Sequence, residues 1–166
     1  QYTLRGREWV ETLIIPGSVT NIGNYAFYGC TNLKEVIFEE GTADLIIGNS
    51  AFYGCTALTS IEIPARTASL GTSIFSNATS LSEITFAEGC KITQIPGTAF
   101  RGCTALTSIE IPASVTAIGS TAFRETSLTE VTFAEGCQLL SIGGSAFWGT
   151  STLTSFTIPD TVNSIG

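Results

Sequence analysis

Glutamate residues at regular intervals are the side chains of this chain whose type and spacing could do chemistry. Five of them belong to segments in which polar and apolar residues alternate: Glu35, Glu62, Glu83, Glu110 and Glu130. Carboxylates in such a row can bind divalent cations or a basic protein segment, and a close pair can act as acid and base. Because the acids recur at equivalent positions of a repeat, as surface residues would, we disfavour the acid–base function.

Histidine is absent from the sequence. Its absence removes the commonest general base, most zinc-site geometries and every Ser-His-Asp arrangement. No serine lies in a Gly-x-Ser-x-Gly motif, and no glycine-rich phosphate loop is present. We therefore predict a protein that is not an enzyme, with no catalytic residue, no metal ligand and no cofactor.

The glutamates are positioned by a repeat that is built around Ala-Phe. Its phenylalanines follow one another at spacings of 25, 23, 25, 23 and 24 residues, at Phe27, Phe52, Phe75, Phe100, Phe123 and Phe147. A period of this length predicts a solenoid, in which each unit buries its apolar face by stacking on its neighbours. A β-sandwich is excluded because its strands would recur every 8–12 residues or so, about half this spacing.

Two kinds of unit alternate along the chain. In one kind an isoleucine is followed by proline, as at Ile111-Pro112, and in the other a phenylalanine precedes a Glu-Gly turn, as at Phe86. The arc to the next Ala-Phe position has 12 residues after the proline-type strand and 14 after the Glu-Gly type. The true period is therefore a pair of units, about 48 residues, which indicates duplication of pairs.

Each unit is expected to contribute one strand, and the strands must stack in parallel. Ile109 and Ile111 alternate with Glu110, as in a strand with one buried face. Pro112 then ends that strand, and Gly119 is expected to give the backbone freedom for a tight bend. The arcs are rich in Gly, Ser and Thr, so we expect turns or one-turn 3₁₀ or α helices there. The seven predicted strands are 10–15, 33–38, 58–63, 81–86, 106–111, 128–133 and 153–158.

The outward positions of these strands form two rows, in which the glutamates alternate from one strand to the next. Neighbouring glutamates are therefore diagonal, about 7–8 Å apart, instead of directly opposed. The predicted protein-binding face consists of Glu35, Glu62, Glu83, Thr85, Glu110, Glu130, Thr132 and Thr157. Two interpretations stay open: a surface that engages a basic protein segment or divalent cations, and a solvated face whose charges are spaced for tolerance.

The five cysteines fall into two groups. Cys30, Cys55 and Cys103 lie three residues after a phenylalanine, whereas Cys90 and Cys137 follow Glu-Gly. Since neighbouring coils lie about 5 Å apart at the sheet, Cys30 and Cys55 could approach disulfide geometry. We favour a stack of small buried thiols, and no pair has the Cys-x-x-Cys spacing of a metal or redox site.

The segment from Ile22 to Leu33 resembles the BspA-like, Treponema pallidum-type leucine-rich repeat, whose motif is Ile-Gly-x-x-Ala-Phe-x-x-Cys-x-x-Leu. The residues from Ile118 to Phe123 resemble it too, and the resemblance extends from about Val10 to Gly166 in six tandem copies. It implies a leucine-rich-repeat solenoid on the surface of, or secreted by, host-associated bacteria or mucosal protozoa. The resemblance further implies adhesion to host matrix proteins or to other cells.

The amino-acid composition excludes some classes of binding partner. The chain has 14 acidic and 7 basic residues, a net charge of −7, so nucleic acid and anionic lipid are excluded as partners. No run of 18 apolar residues is present, and we expect no membrane insertion. The repeats extend along nearly the whole sequence, so we expect residues 1–166 to form one domain of about six to seven units. Because the chain lacks methionine, we expect it to be a piece of a longer protein. Val162 and Ile165 are expected to lie open at the last coil, where copies could self-associate end to end.

Two functions of different classes remain. The first is a cell-surface or secreted adhesion module, which engages host matrix or other cell-surface proteins through its strand face. The second is a structural spacer that holds another domain away from the cell without binding anything itself.

Overall fold

Six units of the repeat each contribute one four-residue strand to a common face of the molecule. The computed structural model describes residues 4–166. The strands of this face are β1 (Thr12–Ile15), β3 (Glu35–Phe38), β5 (Ser60–Ile63), β7 (Glu83–Phe86), β9 (Ser108–Ile111) and β11 (Glu130–Phe133). Burial alternates along them as predicted, so that Ile109 and Ile111 are buried while Ser108 and Glu110 are exposed. The predicted parallel solenoid is confirmed.

These six strands form three separate pairs, β1–β3, β5–β7 and β9–β11. Each pair joins a strand that ends in proline to the next strand, which ends at a Glu-Gly turn. Among the described strands, no ladder connects β3 to β5 or β7 to β9. The two-unit period of the sequence thus appears in the structure as pairwise strand pairing.

The seventh predicted strand, 153–158, is not formed. This segment ends in Ile158-Pro159 and therefore has the position of the first strand of a fourth pair. Because the strands of this face form ladders only within pairs, a first strand without its second has no partner. Within the described residues no second strand follows it, and residues 153–158 form no ladder.

A second row of shorter parallel strands, which the sequence did not predict, follows the first row around each coil. Its strands are β2 (Asn21–Ile22), β4 (Leu45–Ile47), β6 (Thr67–Leu70), β8 (Gln94–Ile95), β10 (Ala117–Ile118), β12 (Ser141–Ile142) and β13 (Ser164–Ile165). They form two sheets, with the orders β2-β4-β6 and β8-β10-β12-β13. With mostly two residues each, these strands are too short to show a period of two in the sequence.

A glycine directly follows six of the seven short strands, all except β8, and at five of these glycines successive coils approach closely. A Cβ atom on Gly119 would lie 2.4 Å from the backbone nitrogen of Gly97. The left-handed backbone conformation occurs two residues later, at Thr121, whose φ is 55°. The prediction that Gly119 supplies backbone freedom is therefore wrong, because glycine is required there for space.

The Ala-Phe segments form turns, in which hydrogen bonds alternate between the next coil and the same turn. The backbone N–H of Phe100 donates to the Ala122 carbonyl of the next coil (2.8 Å), and that of Cys103 donates to the Phe100 carbonyl (3.1 Å). Of the two expectations for these segments, turns are confirmed. Residues 4–166 contain no helix, and so no helix that could cross a bilayer.

The phenylalanines of the repeat stack into one continuous column along the centre of the solenoid. Successive ring centroids are 5.3–5.7 Å apart and the ring planes differ by 7–17°, from Phe27 to Phe147. The four inner rings, Phe52, Phe75, Phe100 and Phe123, are completely buried. The alanine before the ring is also buried, as Ala99 and Ala122 show.

Candidate protein-binding face and clefts

The outward side chains of the six paired strands form an acidic surface, which we call the strand face. Seven of the eight predicted residues lie on it and are exposed: Glu35, Glu62, Glu83, Thr85, Glu110, Glu130 and Thr132. The eighth, Thr157, is exposed in the segment that forms no strand. Within a pair each glutamate lies opposite a hydroxyl side chain, with Glu62 opposite Thr85 and Glu83 opposite Ser60.

The carboxylates of the strand face form no ion pair with the cations of residues 4–166. Ion pairs within residues 4–166 join Lys34 to Glu11, Lys91 to Asp44, and Arg101 and Arg124 to Glu125. None of these pairs involves Glu35, Glu62, Glu83, Glu110 or Glu130. The strand face therefore presents uncompensated negative charge, and a cationic partner would be complementary to it.

The gaps between strand pairs open into two clefts at the ends of the strands. The first cleft, between β3 and β5, has a volume of about 740 Å³ and is lined by Phe38, Glu40, Glu62, Pro64 and Arg66, among others. The second cleft, between β7 and β9, has a volume of about 580 Å³ and is lined by the equivalent residues Phe86, Glu88, Glu110, Pro112 and Ser114. Each cleft combines apolar walls with an acidic rim, and each includes one glutamate of the strand face.

Sequence reasoning missed both clefts. The signal that could have revealed them is the alternation of proline-type and Glu-Gly-type units, which separates the strands into pairs. A pairwise period leaves a gap after every second strand, and the clefts occupy those gaps.

Arg66, in the wall of the first cleft, is the only charged side chain among the buried residues of the part that the structure describes. Its Nη1 donates to the carbonyl oxygens of Val19 (2.8 Å) and Ala43 (3.4 Å). Its Nε and Nη2, and the Oγ1 of the neighbouring Thr67, have no hydrogen-bond partner within residues 4–166. Equivalent positions of the other proline-type units hold Ser18-Val19, Ser114-Val115 and Thr161-Val162.

Replacing Thr67 by valine is expected to stabilise the protein by about 1 kcal/mol, because it removes a buried hydroxyl that lacks a partner. Valine fits this site, since the equivalent Val115 is completely buried. The matched control is Thr126→Val, which removes a hydroxyl that donates to the Phe123 carbonyl at 2.8 Å and should destabilise by a similar amount. Urea denaturation of both variants tests the pair, and a Thr67→Val variant less stable than the parent would contradict the explanation.

The cysteines are thiols, and those of the first group donate hydrogen bonds to backbone carbonyls of the preceding coil. The Sγ of Cys55 donates to the Phe27 carbonyl (3.3 Å), that of Cys103 donates to the Phe75 carbonyl (3.1 Å), and that of Cys30 donates to the Leu4 carbonyl (3.0 Å). Thr150 makes the same contact through its Oγ1, to the Phe123 carbonyl (3.0 Å). Cys30 and Cys55 are both free thiols with separate acceptors, in agreement with the favoured prediction of stacked buried thiols.

Burial should make two of these thiols inert. Desolvation raises the pKa of Cys55 and of Cys103 to about 12, so that at pH 8 only about one molecule in ten thousand carries the reactive thiolate. Treatment of the native protein with a thiol reagent at pH 8 should leave both unmodified, as read by mass spectrometry of proteolytic peptides. Denatured protein is the control, in which all five cysteines should react; modification of Cys103 in the native state would contradict its burial.

Comparison with known proteins agrees with this architecture. A family model described as the BspA type leucine rich repeat region matches residues 2–94 and 45–166, in six copies. No curated protein sequence is significantly similar to the chain.

Several solved structures share the fold. The pneumococcal vaccine antigen PcpA superposes with a TM-score of 0.74 at 24% identity, over 92% of this chain and 51% of PcpA. A leucine-rich repeat protein of T. pallidum gives 0.63 at 25% identity, over 98% of this chain and 63% of that one. A leucine-rich cell surface protein of Faecalibacterium prausnitzii superposes with a TM-score of 0.57 at 26% identity, over 99% of this chain and 52% of that one.

The chain thus spans between half and two thirds of the length of these structures. The match of the family model extends over nearly every residue, and the stacked coils have the geometry that the repeat requires. This protein belongs to the BspA-type leucine-rich repeat family.

Proposed function

We propose that this chain is a protein-binding module of a cell-surface or secreted protein, and that its strand face engages a basic segment of a host matrix protein or of another cell-surface protein. The observation that carries the proposal is the array of five exposed glutamates, in two rows, with no ion-pair partner within residues 4–166. The strand ladders hold the backbone of these glutamates in a regular array, so little backbone conformational entropy is lost when a partner binds.

The surface location rests on the family and on its relatives. A structure with the same fold comes from a protein described as a cell surface protein, and another from a vaccine antigen. The chain spans only half to two thirds of the length of these structures. The alternative function, a spacer, requires no contact by the strand face and predicts that its charges are without consequence.

The test is a variant in which Glu62, Glu83, Glu110 and Glu130 are all replaced by glutamine. Binding is first sought by screening the chain against matrix proteins such as fibronectin and fibrinogen. The variant should bind the partner at least about tenfold more weakly at low salt, and the effect should shrink as salt rises. Thermal stability should hardly change, because the four side chains are exposed.

The control variant removes the same amount of charge elsewhere, by Glu8→Gln, Glu11→Gln, Asp44→Asn and Glu125→Gln. It changes the net charge equally but leaves the strand face intact, and its surface ion pairs contribute little to stability. Equal loss of binding in both variants would indicate a non-specific charge effect. Unaltered binding by the strand-face variant would rule out the proposal.

A second contact is also proposed, between copies of this chain. Within the described residues, β13 is hydrogen-bonded on one side only, to β12, and Ile165 is 62% exposed. An open parallel edge with an exposed isoleucine can pair with another molecule. Sedimentation of the 166-residue chain over a range of concentrations tests this association, which a concentration-independent monomer would contradict.

A further inference from the structure

Arg66 carries a buried positive charge for which residues 4–166 provide no counterion and only some of the hydrogen-bond acceptors. The side chain is 7% exposed, and its guanidinium is charged at every accessible pH. Two backbone carbonyls accept hydrogen bonds from Nη1, whereas Nε and Nη2 have no partner within residues 4–166. No carboxylate of these residues lies within ion-pair distance of it. Burial of a charge without a counterion is costly, so the arginine opposes folding instead of stabilising it.

Packing does not demand an arginine at this position. The equivalent residues of the other proline-type units are Ser18, Ser114 and Thr161, and they support the same coil with small side chains. The second cleft, which has Ser114, is also smaller than the first, which has Arg66. The departure from the repeat is thus confined to the wall of the larger cleft.

The unpartnered atoms define the chemistry of the ligand. Nε and Nη2 lie on one edge of the planar guanidinium, the edge that binds both oxygens of a carboxylate through two parallel hydrogen bonds. A simple anion would nevertheless be repelled by Glu39, Glu40 and Glu62, which line the same cleft. A ligand that satisfies both features carries a carboxylate and a cationic group together, with an apolar stem to contact Phe38 and Pro64.

We propose that the first cleft binds the C-terminal residue of a peptide chain whose last side chain is basic. The carboxylate pairs with Nε and Nη2 of Arg66, and the basic side chain extends along Phe38 to the glutamates of the rim. This inference rests on the proposed function, because it names the kind of protein segment that the acidic face selects. Nε and Nη2 have almost no exposed surface, so either the Arg66 side chain or a group that covers it must move before the carboxylate reaches them.

Three short fluorescent peptides of otherwise identical sequence test the proposal by fluorescence polarisation. The first ends in lysine with a free carboxylate, the second ends in lysine amide, and the third ends in alanine with a free carboxylate. The protein should bind the first peptide at least about tenfold more tightly than either of the others, since each lacks one charged contact.

The Arg66→Ser variant should lose the preference for the free carboxylate while folding normally, because serine occupies the equivalent site at Ser114. Arg101→Ser is the matched control: it removes an exposed arginine outside the cleft and should bind like the parent. Equal affinity of the parent for the acid and the amide, or a retained preference in Arg66→Ser, would overturn the inference. Neither result would affect the proposed function, which is decided by the strand-face variant alone.

Discussion

Replacement of Phe100 by alanine is expected to destabilise the protein by about 3–5 kcal/mol, the range found for fully buried aromatic side chains. The ring is completely buried and stacks between Phe75 at 5.7 Å and Phe123 at 5.4 Å. Each coil of a solenoid contacts only its neighbours, so a cavity in the middle of the column weakens both interfaces at once. Urea denaturation followed by circular dichroism should show a lower midpoint, and a broader transition if the two halves unfold separately.

The control for this variant is Phe86→Ala, which deletes the same side chain from the wall of the second cleft. Phe86 is only partly buried and lies outside the column, so its loss should cost clearly less. A Phe100→Ala variant within about 1 kcal/mol of the parent would show that the coils collapse around the cavity and that the column is not essential for stability.

Replacement of Gly143 by alanine is expected to destabilise the protein by about 2–3 kcal/mol through overpacking. A Cβ atom there would lie 2.5 Å from the backbone nitrogen of Ser120 and 2.8 Å from the carbonyl carbon of Gly119. Both obstacles are backbone atoms of the preceding coil, which cannot move aside as a side chain could. The two coils must separate, and the ladder between β10 and β12 is strained as a result.

The neighbouring glycine provides the control. A Cβ atom on Gly144 would meet nothing closer than 4.0 Å, so Gly144→Ala should be neutral or stabilise by about 0.4–1 kcal/mol through the unfolded chain. Both substitutions change the unfolded state alike, and the difference in melting temperature between them isolates the contact between coils. Equal melting temperatures would contradict the close approach.

The fold could be predicted from the sequence to the level of one strand per unit, because apolar residues of fixed spacing decide which side chains are buried. Burial could be predicted in this way for Ile109, Ile111 and Phe123. The short strands such as β10 could not be predicted, because a ladder of two residues depends on the coil beside it and has no pattern of its own. Residues 153–158 could not be predicted correctly for the same reason. Their sequence has the pattern of a strand, but whether a strand forms depends on a neighbouring strand with which it can pair.

The candidate site likewise has features that could be predicted from the local sequence and features that depend on residues distant in the chain. Exposure of Glu62 and Glu110 follows from alternation within a strand, which is local information. The clefts depend on which strands pair. The environment of buried Arg66 depends on distant residues, since its Nη1 donates to the carbonyls of Val19 and Ala43, 47 and 23 residues earlier in the chain. The sequence shows Arg66-Thr67 where the other proline-type units have Ser-Val or Thr-Val, but the significance of this departure appears only with the burial of Arg66.

The pairing of strands has a consequence for valency. One cleft falls between successive strand pairs, so each additional 48-residue pair of units adds one more cleft to the array. With coils about 4.8 Å apart, the clefts repeat at about 10 Å, close to the length of three residues of extended peptide. A partner with basic groups at that interval would make its second contact intramolecularly, and its avidity would grow with the number of pairs rather than with the strength of any one cleft.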